Sequence, residues 1–370
     1  MWLIVIGMMI GTKPVASDIR QDESILFFPS YAYQQDDPSS WTMVVRGAVF
    51  DPRSHSLRKA AAVKTLRYAT KRDFTPRERK RFDRRVGEFL IDPKQDKTVV
   101  VRVGTREYEI GRSASDGHFR ETIQLPKLLA GRKDDATGDL PTWLSFEAVT
   151  NGKRKFSGRV QLISSRGLSV ISDIDDTIRD SNVADRSALL ANTFIHPFRP
   201  VAGMPELYRM LAKERVVVHY VSGSPWQLYR PIAEFLRAQR FPYGSVHLRP
   251  FHFSRRNLAK LFASPATTKP KAITPILAAF PQRRFVLIGD SGEQDPEIYG
   301  QIARRHKRQI VGIFIRNVHS DNSTAERFRK AFKGIDRSLW LIYDRSEQLK
   351  TALKPLAVRY SGKGVVARRP

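Results

Sequence analysis

Asp173, Asp175 and Asp176 stand within four consecutive positions, directly behind the apolar residues Leu168, Val170 and Ile171. Charge at the buried end of a strand is costly unless something uses it. Two other apolar runs close in the same manner: Ser222 ends VVVHYVS and Asp290 ends RFVLIGD. A carboxylate so placed can act as a nucleophile on phosphorus and split hydrolysis into two easier steps through an aspartyl-phosphate. Carboxylate and phosphate repel, so a cation must neutralise them. An all-oxygen set of carboxylates, water and substrate phosphate suits Mg²⁺. Asp175, two residues past Asp173, is spaced to protonate the leaving oxygen and later to deprotonate water. Two acids this close push each other's pKa apart.

The elements that must position these groups are legible in the flanking pattern. From about residue 166, apolar strands (LSVISDI, VVVHYVSG, RFVLIGD, QIVGIFIRN, SLWLIYD) alternate with helical segments (GMPELYRMLAKE, WQLYRPIAEFLRAQ, AITPILAAF, DPEIYGQIARRH). That alternation predicts βαβ units around a parallel sheet. Such sheets bind ligands in the crevice beyond the carboxyl ends of their strands. Upstream, WTMVVRGAVF, TVVVRV, REYEIG, FRETIQLP, TWLSFEAV and FSGRVQLI are short strand-like runs separated by Gly, Asp and Pro. They predict an antiparallel, sandwich-like domain of roughly seven strands. One segment inside it, TPRERKRFDRRVGEFLI, has helical spacing, with Phe82, Val86 and Phe89 on one face, Thr75 as N-cap and Pro76 opening the helix. The expected organisation is a signal peptide at 1–17, a β-rich domain at 24–165 with a basic helical insertion, an α/β catalytic domain at 166–358 and a basic tail at 359–370.

DIDDT resembles the D-x-D-x-T first motif of the haloacid dehalogenase-like (HAD) superfamily, YVSGS its second motif and GDSGEQD its fourth. The fuller strings SDIDDTI, YVSGSPWQLY and FVLIGDSGEQDPEIY resemble the catalytic domain of the Mg²⁺-dependent phosphatidate phosphatases of the actin-patch-protein type, over residues 168–345. The resemblance implies a Rossmann-like parallel sheet with helices on both faces and a small cap. It implies hydrolysis of phosphatidate to diacylglycerol and phosphate. Asp173 would then be the nucleophile and Asp175 the general acid/base, with Thr177 supporting the turn. Ser222 would hydrogen-bond the transferring phosphoryl group. Asp290 would hold Mg²⁺ together with Asp173 and the backbone carbonyl of Asp175, while Asp295 would contact metal-bound water or orient the site. The family places a lysine ahead of a helix. Alignment on Ile273 and AAFP selects Lys269, while Thr268, where the family usually shows His, and Pro270 leave Lys271 open.

Several residues carry a plainer reading beside the functional one. Asp176 would serve as a helix cap or turn residue, and Asp295, before Pro296, would also cap the helix that follows. Gly223 and Gly289 suit close backbone approach to a phosphate or simply a turn. Arg316, at the end of VGIFI, would meet anionic substrate or lie solvated. Trp226, Phe251, His252 and Phe253 follow strand ends and would form an apolar rim or pack in the core. RDSNVADRSALLANTFIHPFRPVAGM is short enough to be a small cap, which leaves the site open to a large or membrane-bound substrate.

The chain of 370 residues carries a formal net charge of +27 and no cysteine. Disulfides, thiolate metal sites and cysteine nucleophiles are thereby excluded. The charge favours anionic partners. The basic stretch RKAAAVKTLRYATKRDFTPRERKRFDRR would rest peripherally on an anionic leaflet, meet nucleic-acid phosphates or simply form a solvated face. No nucleic-acid motif accompanies it, so no specific nucleic acid is expected. MWLIVIGMMIGTKPVAS reads as a secretory signal cleaved near Ala16 or Ser17, although it lacks a basic start. That predicts a periplasmic or secreted protein, or a cytoplasmic one if the segment is no signal. The competing functions are a phosphatase acting on another phosphomonoester, soluble or at a nucleic-acid end, and a non-enzymatic basic binding protein. The intact acidic set disfavours the latter.

Overall fold

The computed structural model describes residues 16–34, 39–52, 64, 73–126, 143–183, 185–251, 265–318 and 323–360. The apolar run at 1–15, most of the basic stretch before residue 73, His252, Phe253 and the tail from 361 lie outside these. The described chain is mixed α/β, with two large sheets and a two-stranded one.

The first large sheet holds β1 (Ser24–Phe27), β2 (Ser30–Tyr33), β3 (Ser40–Asp51), β4 (Asp92–Pro93), β5 (Thr98–Val103), β6 (Arg106–Arg112), β7 (His118–Pro126), β8 (Trp143–Ala148) and β9 (Ser157–Leu162). Its main path runs β1-β3-β2-β9-β8-β5-β6, with β4 and β7 also paired to β3. The pairing is antiparallel except that β2 runs parallel to β9. β1 and β2, four residues each, are too short to give a periodic signal in the sequence. Ile25, Val45, Val99, Val101, Phe119, Phe146 and Val160 fill a core of their own.

The second sheet is built from β10 (Leu168–Ser172), β13 (Val217–Pro225), β14 (Ser245–Arg249), β15 (Arg284–Asp290), β16 (Ile310–Arg316) and β17 (Trp340–Tyr343). All neighbours are parallel, in the order β14-β13-β10-β15-β16-β17. Every residue of β10 is buried, as expected of a central strand covered on both faces. Its side chains alternate between two cores: Val170 joins Leu207, Leu211, Ile232 and Leu349 on one face, Ile171 joins Ile273, Leu277, Ile298 and Ile313 on the other. Between β10 and β13, a loop carries β11 (Arg179–Asp180) and β12 (Arg199–Pro200), which pair as a small antiparallel sheet.

Eight α-helices occur among the described residues: α1 (Pro76–Gly87), α2 (Arg186–Phe194), α3 (Met204–Lys213), α4 (Tyr229–Ala238), α5 (Thr268–Ala279), α6 (Asp295–Arg305), α7 (Ser323–Ala331) and α8 (Ser346–Tyr360). α1 begins as the sequence predicts. Thr75 and Glu78 form a reciprocal capping box and proline opens the first turn. Its apolar face does not pack on the first sheet. Phe82, Val86 and Phe89 join Phe194 in the core of the parallel sheet. Arg85 is buried there too, donating from Nη1 to the carbonyls of Thr193 and His196, both at 2.8 Å. Arg81 donates to the Ile195 carbonyl at 2.7 Å. Part of the basic stretch therefore ties α1 to the end of α2 and faces the protein, not solvent.

The two large sheets meet in two apolar places, in one of which Tyr31 and Val44 join Ile171 and Phe280 in the core of the parallel sheet. In the other, Phe28, Phe50 and Ile91 enclose Trp226, and Val246 N donates to Pro29 O at 3.0 Å. Trp226 and Phe251 are thus packing residues, not a rim around an opening.

Candidate active site at the carboxyl edge of the parallel sheet

Register brings the acidic residues together. Ser172 is level with Tyr220 on one side and Ile288 on the other. Asp173 follows by one position, and its N–H donates to Ile288 O at 2.9 Å. Ser222 and Asp290 each stand two residues beyond those partners, so all three side chains emerge at one edge. Pairing of β13 with β14 becomes irregular between Val221 and Pro225, which frees the chain around Ser222 to turn.

Asp173, Asp290 and Asp295 are fully buried, at 0% exposure. One oxygen from each lies within 4.8 Å of the other two. Lys269, in the first turn of α5, reaches into this cluster. Its Nζ is 2.8 Å from Asp173 Oδ1 and 3.2 Å from Glu293 Oε2, and it donates to Asp295 Oδ1. Burial opposes the charge on Lys269, but Asp173, Asp295 and Glu293 outweigh it and raise its pKa well above the usual range. Burial pushes the Asp173 carboxyl well up; Lys269 pulls it down, while Asp295 and Asp290 add to the rise. Burial, then Asp295 and Glu293, push Asp290 up in the same way. Four carboxyl groups against one ammonium leave the cluster short of positive charge.

The donor set also leaves oxygens open. Asp290 Oδ1 accepts from Gly292 N at 2.6 Å and Glu293 N at 3.2 Å, whereas its Oδ2 has no hydrogen-bond partner among the described residues. Neither Asp173 oxygen receives a well-aligned hydrogen bond, the Lys269 ion pair aside. Buried orphan carboxylate oxygens beside a third carboxylate fit a hard divalent cation such as Mg²⁺, which prefers oxygen ligands. Asp295 is differently employed. Oδ1 meets Lys269 and Oδ2 accepts from Asp290 N at 3.3 Å, and it makes no helix-capping bond although it opens α6. A Cβ at position 289 would run into the Asp295 carboxylate, so the close approach that requires Gly289 is to Asp295.

Asp175 sits apart from this cluster in a set of donors. Its Oδ1 accepts from Arg179 Nε at 2.9 Å, Arg179 Nη2 and Ser181 Oγ at 2.7 Å. Its Oδ2 accepts from Ser222 Oγ at 3.1 Å and Ser224 Oγ at 2.6 Å. Burial would raise its pKa, but Arg179, Ser224 and Ser181 prevail and hold it at about 2. The two acids are therefore pushed apart, Asp173 upward and Asp175 downward. Asp176 adopts φ 52° and accepts from Ser181 N, Asn182 N and Val183 N at 2.6–2.7 Å, so it shapes the loop. Aspartate tolerates this left-handed conformation better than most residues. Thr177 is buried with its hydroxyl unpartnered among the described residues. Gly223 O accepts from Arg249 Nε at 2.9 Å. Arg316 donates to the Asp176 carbonyl at 2.6 Å, which fixes the same loop against β16.

Lys271 is exposed, whereas Lys269 is buried against Asp173. The sequence reading omitted Arg179, Ser181, Ser224 and Glu293. Ser224 carried a signal, since residues two apart on a strand share a face. Arg179 carried none, because the loop that returns it to Asp175 follows no regular period.

Residues 168–317 match the family described as "Phosphatidate phosphatase APP1, catalytic domain". Phosphatidate phosphatase APP1 of Saccharomyces cerevisiae is 37% identical over 158 residues, which is 42% of this chain and 26% of that protein. An uncharacterized protein of Schizosaccharomyces pombe is 33% identical over 172 residues, 45% of this chain and 28% of that protein. The chain thus matches under a third of either relative's length. A solved structure of Parabacteroides merdae beta-glucuronidase aligns with 80% of this chain and 34% of its own at 10% identity and TM-score 0.27, too slight a likeness to bear on the fold.

Proposed function

We propose that this chain, whose residues 168–317 belong to the catalytic-domain family of phosphatidate phosphatase APP1, is a phosphoric monoester hydrolase that converts phosphatidate to diacylglycerol and phosphate. The observation that carries the chemistry is the buried Asp173–Asp290–Asp295–Lys269 cluster with carboxylate oxygens left open at a sheet edge. On this reading residues 166–358 are a HAD-like catalytic domain and residues 24–165 a sandwich-like domain ahead of it.

Asp173 is the nucleophile, attacking phosphorus to form an aspartyl-phosphate. Asp173 and Asp290 supply the open oxygens for Mg²⁺, with Asp295 steadying Lys269 and the Asp290 loop. When bound, the cation neutralises the carboxylates and the phosphate and stabilises the charge of the transition state. Lys269 holds Asp173 in place and opposes the rise that burial imposes on its pKa, and a bound cation would favour its ionised form. Ser222 Oγ, now on Asp175, is within reach to turn to a phosphoryl oxygen. Asp175, held as a carboxylate by Arg179 and three hydroxyls, is set to accept a proton from the water that hydrolyses the aspartyl-phosphate. A phosphate monoester arriving beside Ser222 as its monoanion would bring a proton, which Asp175 is placed to take up and pass to the leaving oxygen first.

The lipid assignment draws on the family match and on the net charge of +27, which suits an anionic leaflet. No helix among the described residues is long and apolar enough to cross a membrane. Peripheral attachment is proposed from the net charge, with residues 1–17 as an export signal. The deciding measurement is phosphate release from phosphatidate in mixed micelles and from a soluble monoester, each with and without Mg²⁺. Release should need the metal and favour the lipid, and Asp173→Asn should abolish it. Equal turnover of the soluble ester would defeat the lipid assignment.

A further inference from the structure

Between the two large sheets, bordering Ser222, lies a cleft of about 220 Å³. Its charged lining is wholly cationic: Arg46 and Arg120 from the first sheet, Arg249 and Lys271 from the parallel-sheet side, and no carboxylate. Arg46 and Arg120 are direct cross-strand partners in the β3–β7 ladder. Like charges directly opposite one another destabilise a sheet. Arg46 is further committed to the junction, with Nη1 2.7 Å from His247 Nδ1 and 3.3 Å from Val246 O. Burial lowers its pKa to about 10, with Tyr31 opposing and Arg120 adding to the fall. The guanidinium of Arg249 is tied to the turn after Ser222 through the Gly223 carbonyl. The lining thus holds a pair of facing arginines and two further cations with no acid among them, although Glu293 acts on Arg249 from outside the cleft, and an anion would relieve the facing arginines.

We propose that this cleft binds a second anionic group of the phosphate class, next to the phosphoryl group handled at Ser222. The group is carried on a neighbouring lipid headgroup, since phosphatidate itself bears one phosphate, or on a substrate other than phosphatidate that bears two. Guanidinium forks match phosphate oxygens bidentately. The volume lies below the roughly 300–1,000 Å³ of drug-sized pockets, so the cleft takes a headgroup-sized anion and no acyl chain. Lys271 thereby acquires a place distinct from that of Lys269. The first sheet becomes part of substrate selection, since it supplies two of the four cations. What occupies Ser222 rests on the phosphatase reading; the cation set does not.

The test is calorimetric titration of the full chain in the Asp173→Asn background, with Mg²⁺, using propanediol bisphosphate and propyl phosphate. The bisphosphate should bind at least about tenfold tighter than the monophosphate, the scale of one charge-assisted contact. Adding Arg120→Gln and Lys271→Gln, both at exposed positions, should erase that ratio. The monophosphate controls for any general damage, which would weaken both ligands alike. A ratio that survives the two changes, or no bisphosphate advantage at all, overturns the proposal. The source is read from phosphatidate turnover by Asp173-intact protein in phosphatidylcholine vesicles with and without phosphatidylglycerol. A gain from phosphatidylglycerol that the two changes abolish assigns the neighbouring headgroup; its absence beside a sensitive bisphosphate ratio assigns the second phosphate of a substrate other than phosphatidate. Lack of any turnover would refute the phosphatase reading, while the titration would still decide the cleft.

Discussion

Lys269 and Arg179 are single side chains on which the two halves of the site depend. Lys269 is the one ammonium among four carboxyl groups, touching Asp173 and Asp295. Lys269→Ala should cut phosphate release on the order of 10²-fold, the usual scale for a lost electrostatic contact at a reacting group, and Lys271→Ala far less. The reverse ranking, read by phosphate release from the same substrate, would transfer the role to Lys271. Arg179 is buried and holds Asp175 through Nε at 2.9 Å and through Nη2. Arg179→Met would leave a buried carboxylate short of its counter-charge and should cost about 3 kcal/mol in urea unfolding. It should also raise the Asp175 pKa from about 2. Since the carboxylate form exists only above that pKa, the acid limb of the pH–rate profile should move to higher pH. An unmoved limb would mean that Asp175 is not the group being titrated.

At the scale of elements, the turn from β15 into α6 sets the metal side of the site. Gly289 ends the apolar part of the strand where the Asp295 carboxylate passes over the backbone. Gly289→Ala should displace Asp295, loosen its hold on Lys269 and on Asp290 N, and raise the Mg²⁺ concentration for half-maximal activity. A shift of about tenfold is expected, within the 10–100-fold typical when a group supporting the ligands is lost. An unchanged Mg²⁺ dependence would show that the turn accommodates the methyl group. α1 gives a second lesson at this scale. Its capping box and apolar spacing were legible in TPRERKRFDRRVGEFLI. Where it docks was not, because the same stripe of Phe82, Val86 and Phe89 would suit either core.

For the whole molecule, buried histidines at the junction of the sheets link folding to pH. His219 Nδ1 lies 2.7 Å from Ser245 Oγ, which is 2.9 Å from His247 Nε2. Burial, helped by Arg283, lowers His219 to about 3. Burial, then Arg46, lowers His247 well below its ordinary value. The unfolded chain takes up protons as pH falls through about 6.5, whereas folded His219 refuses them until about pH 3. Stability is therefore fully present above the unfolded pKa and is lost progressively as pH drops between these values. The slope is at most about 1.4 kcal/mol per pH unit for each histidine. Urea melts at pH 7.5, 6 and 5 should show the decline, and His219→Gln should reduce its slope. Equal slopes would place the proton uptake elsewhere.

The sequence alone determined which chemistry was available and on which edge of the second sheet it would gather. Alternating strands and helices force parallel pairing, and parallel pairing puts the ends of β10, β13 and β15, with Asp173, Ser222 and Asp290, on one side. Folding had to decide what depends on phase and long-range contact. Lys269 and Lys271 are two residues apart on α5, roughly 200° around its axis, so either lysine could face the carboxylates until packing fixed the rotation. Asp295 would serve as a cap or as part of the cluster, and only the path of its turn gave it to Lys269 and Asp290. Arg46, Arg120, Arg249 and Lys271 come from four separate elements. No local pattern relates them, because their shared cleft exists only where the two sheets meet.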